Sequence, residues 1–172
     1  MIDLTAFVRD IPGFPKPGIV FKDITPLLAD RAAFSACISE LALPYRKVKV
    51  DAVCSIEARG FIFGAALAVE LGAGFVPLRK PGKLPARTVA VDYQLEYGSD
   101  RLEMHGDALG AGARVVLADD VVATGGTLLA ARELIRGMGA ELLGASVVIE
   151  LAFLGARARW AGPEPLHSLM RC

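Results

Sequence analysis

The sequence predicts an α/β domain built on a mostly parallel, twisted sheet flanked by helices. Two observations carry that expectation: two strand–turn–helix units follow one another along the chain, and a further apolar run after the second continues the alternation. A chain of 172 residues fits one domain spanning residues 1–172, long enough to bury roughly 70% of the surface its unfolded form exposes.

The first unit opens with DAVCSI at 51–56, a short apolar run of strand character. The turn EARG at 57–60 follows, and then a helix-like segment over 61–71. Apart from Gly64 and Glu70 this segment is apolar all round, so it lies deep in the core or helps form a subunit contact. GFVPL at 74–78 reads as the next strand. From Lys80 to about Asp100 the chain carries early glycine and proline breaks and no helical period, the pattern of a long loop. The second unit runs from the strand RVVLA, 114–118, through the turn DDVVATGG, 119–126, into a helix from about 127 to 138. Its Leu128, Ala131, Ile135 and Met138 share one stripe while Arg132, Glu133 and Arg136 face away. ASVVIEL at 145–151 adds another strand, and the last twenty residues lose the regular pattern.

Composition narrows the function classes. Hydrophobic residues make up 53% and charged residues 22%, the balance of a soluble globular protein, and the net charge is zero. Binding nucleic acid by phosphate neutralisation usually needs a basic excess, so no nucleic-acid partner is expected. Arg59, Glu70, the Asp119/Asp120 pair and Glu150 interrupt the most apolar stretches, and Asp3, Arg9 and Asp10 break any secretory leader, so no membrane partner is expected either. Cys37, Cys54 and Cys172 are odd in number and lack a C-x-x-C spacing, which fits the reducing cytoplasm. His105 and His167 stand far apart without clustered ligands, so a structural metal site is not expected.

The most informative segment is VVLADDVVATGGT, residues 115–127. Ala123, Thr124, Gly125, Gly126 and Thr127 can turn several backbone N–H groups toward one phosphate at the start of a helix, where the dipole adds attraction. Asp119 and Asp120 would repel such a ligand unless they face a part of it that donates hydrogen bonds. Ribose hydroxyls are donors, so acids and turn together could hold a phosphoribosyl group from both ends. A tight strand-to-helix turn with acids near a helix start is the plain alternative, and the pattern alone leaves both open.

The segment resembles the signature of the type I phosphoribosyltransferases for 5-phosphoribosyl-1-diphosphate (PRPP): apolar residues, two acids, then A-T-G-G-T. Neither a Walker motif nor a G-x-G-x-x-G is present. FPKPGIVFKDITPLL at 14–28, EARGFIFGAALAVELG at 57–72, RKPGKLP at 79–85 and YQLEYG at 93–98 are similar to the adenine phosphoribosyltransferases in order and spacing. The resemblance implies the type I phosphoribosyltransferase fold, with a small N-terminal hood over about residues 1–35 and a mobile catalytic loop over about 80–100. It implies purine salvage: transfer of the phosphoribosyl group of PRPP to adenine, giving AMP and pyrophosphate, by a cytoplasmic homodimer. Mg²⁺ is implied with PRPP, held through the diphosphate and water rather than by protein ligands.

The same resemblance assigns roles to residues. Asp119, Asp120 and residues 123–127 take the ribose and 5′-phosphate of PRPP. Arg59 contacts pyrophosphate, as do Arg79, Lys80 and Lys83, one basic residue reaching across from the neighbouring subunit. Arg87 lies in the same basic run. Glu96 and Tyr97 fall in the catalytic loop, with Glu96 placed to handle a proton at the N7 edge of adenine. Phe21 stacks on the base, the backbone of Val20 and Lys22 reads its Watson–Crick edge, and Leu151 forms the opposite wall. Each has a plainer alternative: Arg59 as a surface arginine, the basic run as a solvated loop, Glu96 as a solvated charge, Phe21 and Leu151 as core packing. The sequence departs from the family at Lys22, where many members carry arginine, and at Ala58, where some carry serine. A 6-oxopurine phosphoribosyltransferase shares the signature but not VFKDITPLL or YQLEYG. A non-catalytic PRPP-sensing regulator of the same fold usually adds a DNA-binding segment or an extended basic face, for which 172 residues with zero net charge are not expected to leave room.

Overall fold

The structure is a computed structural model that describes residues 2–94 and 98–172. After a 3-10 turn at Leu4–Phe7, strands β1 (Arg9–Pro12) and β2 (Val20–Asp23) form a small antiparallel hairpin. Helices α1 (Thr25–Ala29) and α2 (Arg31–Ala42) follow, and Asp30 caps α2 by accepting from the Ala33 amide at 2.8 Å. The sheet then begins with β3 (Ala52–Ile56), α3 (Gly60–Leu71) and β4 (Gly74–Leu78). A second antiparallel hairpin, β5 (Thr88–Gln94) and β6 (Ser99–His105), leads to β7 (Arg114–Val122), α4 (Gly126–Gly137) and β8 (Glu141–Glu150). The chain ends through the short helix α5 (Ala156–Arg159) and β9 (Leu166–Arg171).

Five strands form one wholly parallel sheet in the order β4-β3-β7-β8-β9. Such a sheet must be covered on both faces, and alternation along each strand divides its apolar side chains between two cores. On one face Val53, Val116, Ala118 and Val148 pack with α1, α2 and α3. On the other, Cys54, Leu117 and Val147 pack with α4 and the β5–β6 hairpin. Among the described residues no helix is long and apolar enough to cross a membrane.

Three expectations need correction. The stretch read as an unstructured loop from Lys80 to about Asp100 holds β5 and the start of β6. Tyr93, Leu102 and Met104 are buried against α4, so this hairpin is built into the core at its base. The acidic pair does not open a turn, because β7 continues to Val122. Asp119, Val121 and Val122 pair with Val147, Ile149 and Glu150, since the β-branched valines suit a ladder that β8 extends. The irregular tail supplies β9, which closes the sheet on the free edge of β8.

Candidate active site

Because the five strands are parallel, their carboxyl ends share one edge, and a binding crevice is expected there. The chain leaving β3 enters Glu57-Ala58-Arg59, where the Glu57–Ala58 peptide is cis. The chain leaving β4 enters Arg79 and Lys80, that leaving β7 enters the Ala123–Thr127 turn, and that leaving β8 enters Leu151. A cavity of about 300 Å³ opens among them, lined by Glu57, Arg59, Lys80, Asp119, Asp120 and residues 123–128. Three separated segments named from the sequence, the turns after β3, β4 and β7, therefore meet at one place.

Within the turn, the amides of Thr124, Gly125, Gly126 and Thr127 donate to no acceptor among the described residues, and α4 has no side-chain cap. Gly125 holds φ +84°, a left-handed conformation that a side chain would strain. The turn thus presents free donors and the positive end of a twelve-residue helix to the cavity.

The two acids differ. Asp120 is buried, and Arg59 Nε lies 2.7 Å from its Oδ2. The N–H is not aimed at that oxygen, so Asp120 Oδ2 makes no hydrogen bond. A buried acceptor of this kind is costly to leave alone and would gain from a ligand donor. Asp119 Oδ1 accepts from the Asp120 amide at 2.9 Å. Burial, and then the charge of Asp120, push the Asp119 carboxyl well above the usual carboxylate range. Gly60 lets this acid fit: a Cβ built there would stand 2.5 Å from Asp119 Oδ1 and 3.0 Å from Ser55 Oγ.

Glu57 gathers the basic segment. Its carboxylate accepts from Arg79 Nε at 2.9 Å and from the Lys80 amide at 2.7 Å, and it pairs with Lys83 Nζ at 2.9 Å. Burial works to raise this carboxyl, but the bonds from Lys80, Lys83 and Arg79 outweigh it and lower the value. Lys80 donates to Tyr93 Oη at 2.7 Å and pairs with Asp100, while Tyr93 Oη stands 3.5 Å from Thr127 Oγ1. The hairpin is thereby tied to both the basic segment and the turn.

Phe21 and Leu151 stand outside the cavity lining. The Arg59 guanidinium lies 4.8 Å from the Phe21 ring centroid, and Phe14 meets that ring edge-on at 5.2 Å. Leu151 is half-buried, and its amide donates to the Val122 carbonyl at the end of β7. Val20 is exposed, and the Lys22 ammonium pairs with Asp10 at 2.7 Å. Glu96 and Tyr97 lie outside the described residues. Sequence reasoning gave no role to Glu57, Tyr93 or Asp100. Glu57 stood inside the EARG turn, but its partners lie more than twenty positions away and carry no local signal.

Comparison with known proteins agrees with this geometry. The phosphoribosyl transferase domain family matches residues 25–163. The adenine phosphoribosyltransferase of Xanthomonas axonopodis pv. citri (strain 306) is 60% identical over 159 residues, which cover 92% of this chain and 86% of that one. The crystal structure of adenine phosphoribosyltransferase from Rhodothermus marinus DSM 4252 superposes with a TM-score of 0.95 at 46% identity, covering 98% of this chain and 96% of that one. The Saccharomyces cerevisiae enzyme, solved with an imino-altritol bisphosphate and adenine, gives a TM-score of 0.90 at 39% identity and covers 96% of each chain. A parallel sheet whose carboxyl edge gathers two acids, a glycine turn and an arginine, together with relatives this similar over nearly the whole length, identifies the chain as a member of the adenine phosphoribosyltransferase family.

Proposed function

We propose that this protein carries the phosphoribosyl group of PRPP to adenine, releasing AMP and pyrophosphate in purine salvage. The observation that carries the reading is the single cavity in which Asp119, Asp120 and the 123–127 turn face Arg59 and Lys80. Asp119 and Asp120 accept from the ribose hydroxyls, and the free amides of the turn hold the 5′-phosphate. Arg59, Arg79, Lys80 and Lys83 meet the pyrophosphate. Positive charge grows on the sugar and negative charge on the departing group, so positioning and fixed charges supply the catalysis without a protein nucleophile.

Each cation of the pyrophosphate set is already paired with a carboxylate: Arg59 with Asp120, Arg79 and Lys83 with Glu57, Lys80 with Asp100. Those carboxylates hold the cations at the edge before the diphosphate competes for them. Mg²⁺ accompanies PRPP, and when bound it neutralises the departing diphosphate. The unbonded Asp120 Oδ2 fits a water of such an ion or a ribose hydroxyl, and neither demands a protein cage.

Adenine lies between Phe21 and Leu151, with the backbone of Val20 and Lys22 reading its amino edge. For Phe21 this requires that the Arg59 guanidinium leave the ring when the base enters. Glu96 handles the proton at N7, and Tyr97 acts with it in the catalytic loop between β5 and β6, with a hood over about 1–35 beside the base. The protein works in the cytoplasm as a homodimer. Its subunits meet through the exposed apolar stripe Ile62, Ala65 and Val69 of α3 beside Phe75.

Incubation with PRPP, Mg²⁺ and each purine in turn tests the reading. Adenine is expected to be converted to AMP, with guanine and hypoxanthine left untouched. Turnover of a 6-oxopurine without adenine, or PRPP binding with no turnover of any base, would reject it.

A further inference from the structure

The segment after Gly155 carried little in the sequence, yet α5 stands against the phosphate turn. A Cβ built on Gly125 would lie 3.3 Å from Ala156 Cβ, so the first residue of α5 packs on the turn's backbone. At the other end of this helix Arg159 Nη1 donates to the Thr124 carbonyl at 3.0 Å. The helix itself is fixed from both sides. Arg157 donates to Glu150 through Nε at 3.1 Å and Nη2 at 2.6 Å, and to the Leu166 carbonyl at 2.8 Å. Arg132 of α4 donates to the Trp160 carbonyl at 2.8 Å and lies over the Trp160 ring.

We propose that Arg159 is a positioning residue for the phosphate end of the site. In a trans peptide the C=O and the following N–H point in opposite directions. Holding the Thr124 carbonyl toward Arg159 therefore turns the Gly125 N–H away from α5, and that amide donates to no acceptor among the described residues. A charged donor on the carbonyl also polarises the peptide, which strengthens its N–H as a donor to an anion. Arg159 thus acts on the phosphate through the Thr124–Gly125 peptide. The inference rests on the reading of the 123–127 turn as the 5′-phosphate site.

The test compares Arg159→Met, which keeps much of the aliphatic stem, with Arg159→Lys, which keeps a cation able to reach one carbonyl. Loss of a charge-assisted bond to the turn is expected to raise the KM for PRPP and to weaken inhibition by AMP, each about five- to tenfold, in Arg159→Met. The KM for adenine, kcat and the thermal midpoint stay within about twofold or a few degrees of the parent, since adenine carries no phosphate. Arg159→Lys recovers most of the loss. Should Arg159→Met not fold, Arg159→Gln carries the same comparison. An unchanged PRPP constant, or equal weakening of adenine and PRPP with a lowered midpoint, overturns the proposal. Absence of PRPP-dependent adenine turnover in the parent protein is a separate outcome, which removes the functional reading instead.

Discussion

Asp119 and Asp120 are neighbours near the end of β7 and both line the cavity, yet Asp120 faces the Arg59 guanidinium while Asp119 Oδ1 accepts from the Asp120 amide. The raised carboxyl of Asp119 means that the folded chain holds a proton there more tightly than the unfolded chain. Stability linked to this group therefore grows as pH falls through the folded value, and the ionised form costs stability at neutral pH. Asp119→Asn is expected to raise the thermal midpoint by a few degrees at pH 7. The gain shrinks as the medium is acidified, while the KM for PRPP rises. Calorimetry at two pH values beside steady-state kinetics checks both halves. Gly60→Ala addresses the same acid from the other side. The added methyl meets Asp119 Oδ1 and Ser55 Oγ, both held in place, and overpacking of this kind costs about 1–3 kcal/mol. PRPP affinity is expected to fall more than adenine affinity, which substrate titrations separate. At this scale the sequence was legible where chemistry demands residue types at fixed spacing, as in the acids and the A-T-G-G-T turn. Glu57 and Arg159 were not, because each acts on a segment brought near only by folding.

The end of β8 is held by a buried carboxylate at the centre of a small ionic cluster. Glu150 accepts from Arg157 and, at 2.6 Å, from Ser168 of β9, with Arg171 Nε 3.4 Å away. The Arg157 bonds hold its carboxyl below the ordinary range against the opposing effect of burial, and Ser168 adds to them. A lowered value contributes stability above the unfolded carboxylate range, and that stability is lost as pH falls through the folded value. Glu150→Gln is expected to cost about 2 kcal/mol at pH 7, allowing for the partly exposed Arg157. It should also flatten the acid limb of a stability-against-pH curve, and urea unfolding between pH 3 and pH 7 measures that limb. An equal loss at every pH would mean that packing alone holds this end. The same elements explain what sequence patterns missed. In β9, LHSLMR mixes polar and apolar residues because the strand lies at a sheet edge, and only its pairing with β8 reveals it. TVAVDYQ in β5 alternates, but glycine and proline upstream obscured the signal.

For the whole molecule, the segment that was apolar all round offered two readings, a buried helix or a subunit contact; the first holds for α3, and an exposed stripe on the same helix supports the proposal of the second. Phe63, Leu67 and Ala68 are buried against the sheet and α2. Ile62, Ala65 and Val69 form an exposed stripe at positions i, i+3 and i+7, with Val69 83% exposed. Phe75 of the edge strand β4 extends this surface and packs edge-on against Phe61. Solvating such a stripe is unfavourable, and a second copy of the same face would cover it with two-fold symmetry. Placing a carboxylate there, as in Val69→Glu, sets two like charges near the axis of such a contact. Sedimentation velocity is expected to give a dimer for the parent chain and a monomer for Val69→Glu at the same micromolar concentration, with the single-chain fold retained by circular dichroism. Because a basic residue is proposed to reach the pyrophosphate from the neighbouring subunit, kcat/KM for PRPP should fall together with the dimer fraction as the variant is diluted. A monomeric parent with full activity would break that link, and the pyrophosphate set would then have to be complete within one chain.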